Sequence, residues 1–311
     1  MNRFLISLTF IAAGFLQPVF NSRADTEMSL PTPKYLMASL GDSMTAASLA
    51  DTQLTSPHLP VTPQDVQEKV LYENKATFSW ASGEKTSSHF MRLKDYMIQH
   101  HQPGTLEMFN IAVPGNTTIN LEQQAKSVAE QFKTGKYASL KYVTILMGNN
   151  DACSSASPVG TPDAAFYDNF MKGLTRLSEI QQTERIRVLV SGIPRIVDLG
   201  RPAIQNTEVF PGMSCHKLRD QILKFCNPLT AWVTEAEYRA RLAVVTSRNE
   251  LIERIVHDAS LRYPNLDFHF TDAPFNLSLE PSVLAIDCFH PNESGQAMLA
   301  SVLWNDQPWF K

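Results

Sequence analysis

The sequence predicts an α/β domain in three layers, with helices on both faces of a central five-stranded parallel sheet. Three observations predict it. Short apolar runs rich in β-branched residues alternate along the chain with segments of helical periodicity. Strict alternation of this kind implies a parallel sheet covered on both sides. The 311 residues, 43% hydrophobic and 19% charged, are enough for one sizeable core and do not have the composition of a disordered protein.

Residues 1–24 read as a secretory signal peptide. Arg3 supplies the positive start, Phe4 to Phe20 is mostly apolar, and Ser22-Arg23-Ala24 puts small residues at −3 and −1 before Asp25. Gln17 and Pro18 interrupt the apolar run, which leaves it short for a membrane anchor. Residues 25–311 then form a single exported domain, periplasmic or secreted. Within it, Tyr35–Leu40 is a buried strand that ends at Gly41. Lys85–His101 carries Phe90, Leu93 and Met97 at helical spacing. Glu107–Ile111 is the second strand, and Leu121–Phe132 is a helix with Asn120 as N-cap. Tyr142–Met147 is the third strand. Thr161 and Pro162, as N-cap and first helical residue, open a helix that runs to about Glu184. Arg187–Val190 is the fourth strand, Glu235–Tyr263 a long helix, Leu266–Phe270 the fifth strand and Ser294–Trp304 the closing helix. Residues 195–234 are the least periodic internal segment and read as an excursion or lid.

Several function classes are disfavoured at once. A formal net charge of −4 argues against a broad nucleic-acid surface. The turn after the first strand, Gly41-Asp42-Ser43-Met44-Thr45-Ala46, has neither the G-x-G-x-x-G nor the Walker pattern, so no nucleotide cofactor is expected. No C-x-x-C or H-E-x-x-H signature suggests a metal. The four cysteines, Cys153, Cys215, Cys226 and Cys288, fit two disulfides in an exported chain, with three connectivities open. The shortest loop pairs Cys215 with Cys226, which leaves Cys153 for Cys288.

In a doubly wound sheet, ligands bind beyond the carboxyl ends of the strands. Three blocks stand there. Gly41-Asp42-Ser43 follows the first strand, Asn110-Ile111-Ala112-Val113-Pro114-Gly115-Asn116 the second, and Gly148-Asn149-Asn150-Asp151 the third. A fourth, Asp287-Cys288-Phe289-His290-Pro291, sets an acid and an imidazole three residues apart. Taken singly, each has an ordinary explanation as a helix cap, a Pro-Gly turn, an Asn/Asp turn or a surface Asp–His pair. Together they supply a hydroxyl, a base, an acid and hydrogen-bond donors.

As a set, the stretches GDSMTAA, SWASGEKTSSHFMRL, NIAVPGN, YVTILMGNNDAC and DCFHPNESG resemble the GDSL, or SGNH, hydrolase family, in particular its phospholipase B-like subgroup. They run from residue 41 to residue 295. Met44 stands where the family usually has Leu, a volume-conserving difference. Residues 195–234 match no part of the pattern. The resemblance implies a flavodoxin-like α/β/α fold and a serine esterase or lipase acting on acyl esters, phospholipid or lysophospholipid above all. It implies Ser43 as nucleophile, His290 as general base and Asp287 as the acid that orients it. The oxyanion hole would be the backbone N–H groups of Ser43 and Gly115 and the side-chain amide of Asn150. Asp42 and Asp151 are expected to hold loops. No cofactor is implied, and a lipid substrate implies contact with a membrane surface.

The chemistry needs these residue types. A serine hydroxyl must lose its proton as it attacks, and a neutral imidazole can accept it. Donors aimed at the developing oxyanion explain a glycine N–H and an asparagine amide. The competing α/β-hydrolase scaffold needs a G-x-S-x-G elbow, and Thr45 stands where its second glycine would be. Two other readings are kept, a short-chain acyl esterase on cell-envelope carbohydrate and a non-catalytic lipid- or envelope-binding protein.

Overall fold

Five strands pair in parallel: β1 Lys34–Gly41, β2 Thr105–Asn110, β3 Ser139–Leu146, β4 Ile186–Ser191 and β5 Leu266–Thr271. Their order across the sheet is β2-β1-β3-β4-β5, with parallel register at every joint. These are the five expected runs, in a computed structural model that describes residues 32–54, 62, 64–66, 68, 74–155 and 161–311. The expected signal peptide, residues 1–24, lies outside the described residues. The strand order is the flavodoxin-like one, and it reverses direction between β1 and β3, where such folds open a crevice at the strand ends.

Alternation along the strands divides the core between the two faces. Leu36, Ala38 and Leu40 of β1, with Val143 and Ile145 of β3, pack with Leu121, Phe166, Phe170, Leu174 and Ile252. Those residues belong to helices α2 Leu121–Lys133, α4 Asp163–Ser178 and α5 Glu235–Arg262. Met37, Tyr142 and Leu189 point to the other face, against Phe90 and Leu93 of α1 His89–Gln99 and Leu299 and Leu303 of α6 Glu293–Asp306. Helix α3, Asn149–Ser155, follows the end of β3, and short four-residue helices lie at Ser43–Ala46, Pro202–Gln205 and Asn227–Thr230.

Helix boundaries differ from expectation for local reasons. Helix α1 starts late because the Ser88 hydroxyl caps the Met91 N–H at 3.3 Å. Asn120 is the N-cap residue of α2, as expected, but its side chain makes no cap bond to the helix; its Oδ1 accepts from the Thr117 N–H at 3.0 Å and closes a single turn that precedes the helix. Pro162 is the N-cap of α4 and not its first residue, and α4 stops at Ser178. Gln182 leaves the helical path to bond both the N–H and the C=O of Leu140, at 2.8 and 3.1 Å. Helix α6 is capped by Asn292, which accepts from the Gly295 N–H at 3.0 Å.

Residues 195–234 fold into short pieces. A 3₁₀ stretch Ile196–Gly200 leads to a two-stranded ribbon, Glu208–Phe210 with Met213–Ser214, and then to a π-helix His216–Leu223. The expected disulfide pairing is wrong. The bridges are Cys153–Cys226 and Cys215–Cys288. Cys215 and Cys226 lie at opposite ends of that eight-residue helix. The helical turns between them hold the two cysteines apart, and neither bonds the other. Each instead reaches out of the segment, one to α3 and one to the loop before α6. Among the described residues no helix is long and apolar enough to cross a membrane.

Candidate active site

The turn that carries Ser43 is gripped from both sides. The Gln124 side chain accepts from the Gly41 N–H and donates to the Gly41 C=O, both at 2.9 Å. A side chain at Gly41 would come within 2.6 Å of the Leu146 carbonyl, so only glycine fits where β1 runs this close to β3. Asp42 Oδ1 caps the following turn through the Met44 N–H at 3.0 Å. Gln296 of α6 donates to the Met44 C=O at 3.1 Å and accepts from the Trp80 N–H at 2.9 Å. Ser43 is left 7% exposed at the mouth of the crevice.

His290 meets it from a chain segment 247 residues away, its Nε2 lying 2.7 Å from Ser43 Oγ. The other ring nitrogen, Nδ1, is 2.5 Å from Asp287 Oδ2. Asp287 Oδ1 accepts from the N–H groups of Phe289 and His290, each at 3.0 Å. Burial pushes the Asp287 carboxyl up, but the adjacent imidazole and these hydrogen bonds outweigh it and hold the group below its ordinary value. An ionised Asp287 can only accept. Nδ1 therefore carries a proton, and in the neutral ring Nε2 can accept from the serine hydroxyl.

Across the crevice, Gly115 has φ 80° and nothing within 4 Å of the place a Cβ would take, so its backbone faces open space. Asn150 uses one side-chain N–H on the Asn116 C=O at 2.8 Å, which orients the amide and leaves its second N–H available. Asp151 accepts from the Thr118 N–H at 2.9 Å and the Thr118 hydroxyl at 2.8 Å, binding the loop after β2 to α3. Asn149 turns the other way, to Asp42 Oδ2 at 2.9 Å. Asp42 is fully buried, and burial raises its carboxyl to about 6, against the opposing pull of Asn149, the Met44 N–H and His290.

Ser43, Gly115, Asn150 and His290, far apart in sequence, thus line one pocket of about 200 Å³. Its other walls are Pro114, Phe289, Phe225 and the Cys153–Cys226 bridge, all apolar. Sequence reasoning missed three contributors. Gln124 and Gln296 sit in helices with no local mark of their role, and Phe225 lay in the segment without periodicity. The position of Phe225 beside Cys226 was the one available signal. Among the described residues no group of three or more His, Cys, Asp or Glu is placed to hold a metal.

The chain is 25% identical over 308 residues to human membrane-associated phospholipase B1, across 89% of this chain and 20% of that protein. It is 26% identical over 305 residues to the mouse protein, across 88% and 19%. The chain therefore spans about a fifth of the length of the curated relatives it matches. Among solved structures, an extracellular lipase from Streptomyces rimosus is 14% identical with a TM-score of 0.43, covering 89% of this chain and 100% of that one. A family two carbohydrate esterase from Clostridium thermocellum is 14% identical with a TM-score of 0.48, covering 90% and 65%. The family model for GDSL-like lipase/acylhydrolase matches residues 37–303, from within β1 to within α6, and the chain belongs to that family of ester-hydrolysing enzymes.

Proposed function

We propose that the protein is an exported serine hydrolase that cleaves acyl esters of lipids, phospholipid or lysophospholipid, with Ser43 as nucleophile. The observation that carries the reading is the unbroken line Ser43 Oγ, His290 Nε2, His290 Nδ1, Asp287 Oδ2, with contacts of 2.7 and 2.5 Å. His290 takes the hydroxyl proton as Ser43 Oγ attacks the ester carbonyl, and Asp287 stabilises the imidazolium that forms. The backbone N–H groups of Ser43 and Gly115 and the Asn150 amide receive the oxyanion. Collapse of the intermediate expels the alcohol, which takes the proton back from His290. Water, deprotonated by the same imidazole, then releases the acyl group from Ser43.

Preference for a lipid acyl chain over an acetyl group is supported by the apolar walls beside Ser43, which offer a hydrocarbon burial and no hydrogen bonds. It is supported too by the phospholipase relatives, though these are matched over only part of their length. Export is supported by the two disulfides, which persist in an oxidising compartment. A chain-length series of model esters tests the reading, with wild type beside Ser43→Ala. The expected result is turnover of acyl esters beyond acetate, abolished in Ser43→Ala with the circular dichroism spectrum retained. Equal activity of the variant overturns it.

A further inference from the structure

Phe225 stands over the imidazole, its ring centroid 6.2 Å from that of His290 and 6.1 Å from that of Phe289. All three line the pocket beside Ser43. The backbone that presents Phe225 is unfavourable. Lys224 on one side has φ 54° and Cys226 on the other φ 55°, the left-handed region that non-glycine residues avoid. Such a turn persists only where its surroundings hold it.

They do so on every side. The Phe225 N–H donates to the Arg219 C=O at 3.1 Å. The Thr230 hydroxyl reaches the carbonyls of Phe225 and Cys226, at 3.4 and 3.2 Å. The π-helix before the turn is fixed by Arg219, fully buried, which grips Asp220 and the Leu199 C=O. The covalent tie is Cys153–Cys226. Cys153 lies in α3, the helix that carries Asn150. The bridge therefore ties the turn that presents Phe225 to the helix that carries Asn150.

We propose that Phe225, held by the Cys153–Cys226 disulfide, sets how long an acyl chain the pocket accepts. This rests on the esterase reading above. The walls other than the catalytic groups are apolar, so they recognise a hydrocarbon by burial alone, and discrimination depends on where a wall stops the chain. Phe225 is one of those apolar walls, so the bulk of its ring bears on how much of an acyl chain is buried beside Ser43. Residues 195–234 thereby act as a fixed wall of the site.

The test is kcat/KM of the full-length protein on p-nitrophenyl esters from acetate to palmitate. Phe225→Ala is expected to raise the laurate-to-butyrate ratio about tenfold, the effect of burying two further methylenes. Phe225→Trp is expected to lower it, which keeps the test alive if the alanine variant does not fold. Cys153→Ser/Cys226→Ser is expected to move the ratio in the direction of Phe225→Ala, because the ring is no longer held. Unchanged ratios in the Phe225 variants overturn the proposal. A cysteine double variant with the wild-type ratio overturns the part given to the disulfide. Wild-type protein that turns over none of the series defeats the esterase reading itself, a result distinct from activity with an unmoved profile.

Discussion

Asn149 donates a hydrogen bond to the buried carboxyl of Asp42 at 2.9 Å, joining the turn that carries Ser43 to the first turn of α3. The two strand ends that flank the reversal point of the sheet are bonded through this pair. Asp42 also caps the Ser43 turn, so the geometry on both sides of the crevice depends on one acid.

That acid has a pH signature. Its folded value is raised from 3.8 to about 6, so between those values the folded protein holds a proton that the unfolded chain has lost. Stability contributed at Asp42 is then present below about pH 4 and lost as pH rises toward about 6. The difference in unfolding free energy between wild type and Asp42→Asn is expected to fall across that window, by on the order of 3 kcal/mol, and to be flat above it. Denaturant titrations at pH 4, 5, 6 and 7 check this, and a difference that rises with pH contradicts it.

The oxyanion assignment distinguishes neighbouring asparagines. Asn150→Ala is expected to lower kcat by about 10²–10³ with KM little changed, since the lost donor acts on the transition state. Asn149→Ala is expected to act through stability, because its amide is engaged with Asp42. Steady-state kinetics beside thermal melts of the two variants separate the roles.

The disulfides differ in access. Cys153 is partly exposed at the pocket wall, whereas Cys215 and Cys288 are 0% exposed. Titration of the native protein with dithiothreitol, followed by alkylation and peptide mapping, is expected to open Cys153–Cys226 first. Each bridge spans 73 residues, and loss of the Cys215–Cys288 bridge is expected to cost about 2–4 kcal/mol of stability. Simultaneous reduction of both bridges without unfolding would contradict the difference in access.

How far the sequence reaches depends on whether a feature is local. All five strands were legible, because buried parallel strands are short apolar runs bounded by turn residues. The blocks that hold Ser43, Gly115 and Asn150 were legible as segments at strand ends, which a parallel sheet gathers at one edge; the choice of those residues within them came from the family resemblance. The disulfide pairing was not. Loop length favoured Cys215 with Cys226, and the helix between them, invisible to that argument, holds them apart. Gln124 and Gln296 were illegible for a similar reason. Each is a polar residue on a helical face, and its partners, Gly41, Met44 and Trp80, come near only once the layers are packed. Phe225 owes its place to a turn between two left-handed residues, Lys224 and Cys226, that is bridged to α3, and neither feature has a local mark in the sequence.

Activation of Ser43 as a nucleophile by His290 is read directly by reaction with a fluorophosphonate, followed by peptide mass spectrometry. One covalent adduct is expected, on the peptide containing Ser43, formed far more slowly in His290→Ala. An adduct on another residue, or none on folded wild-type protein, would contradict it.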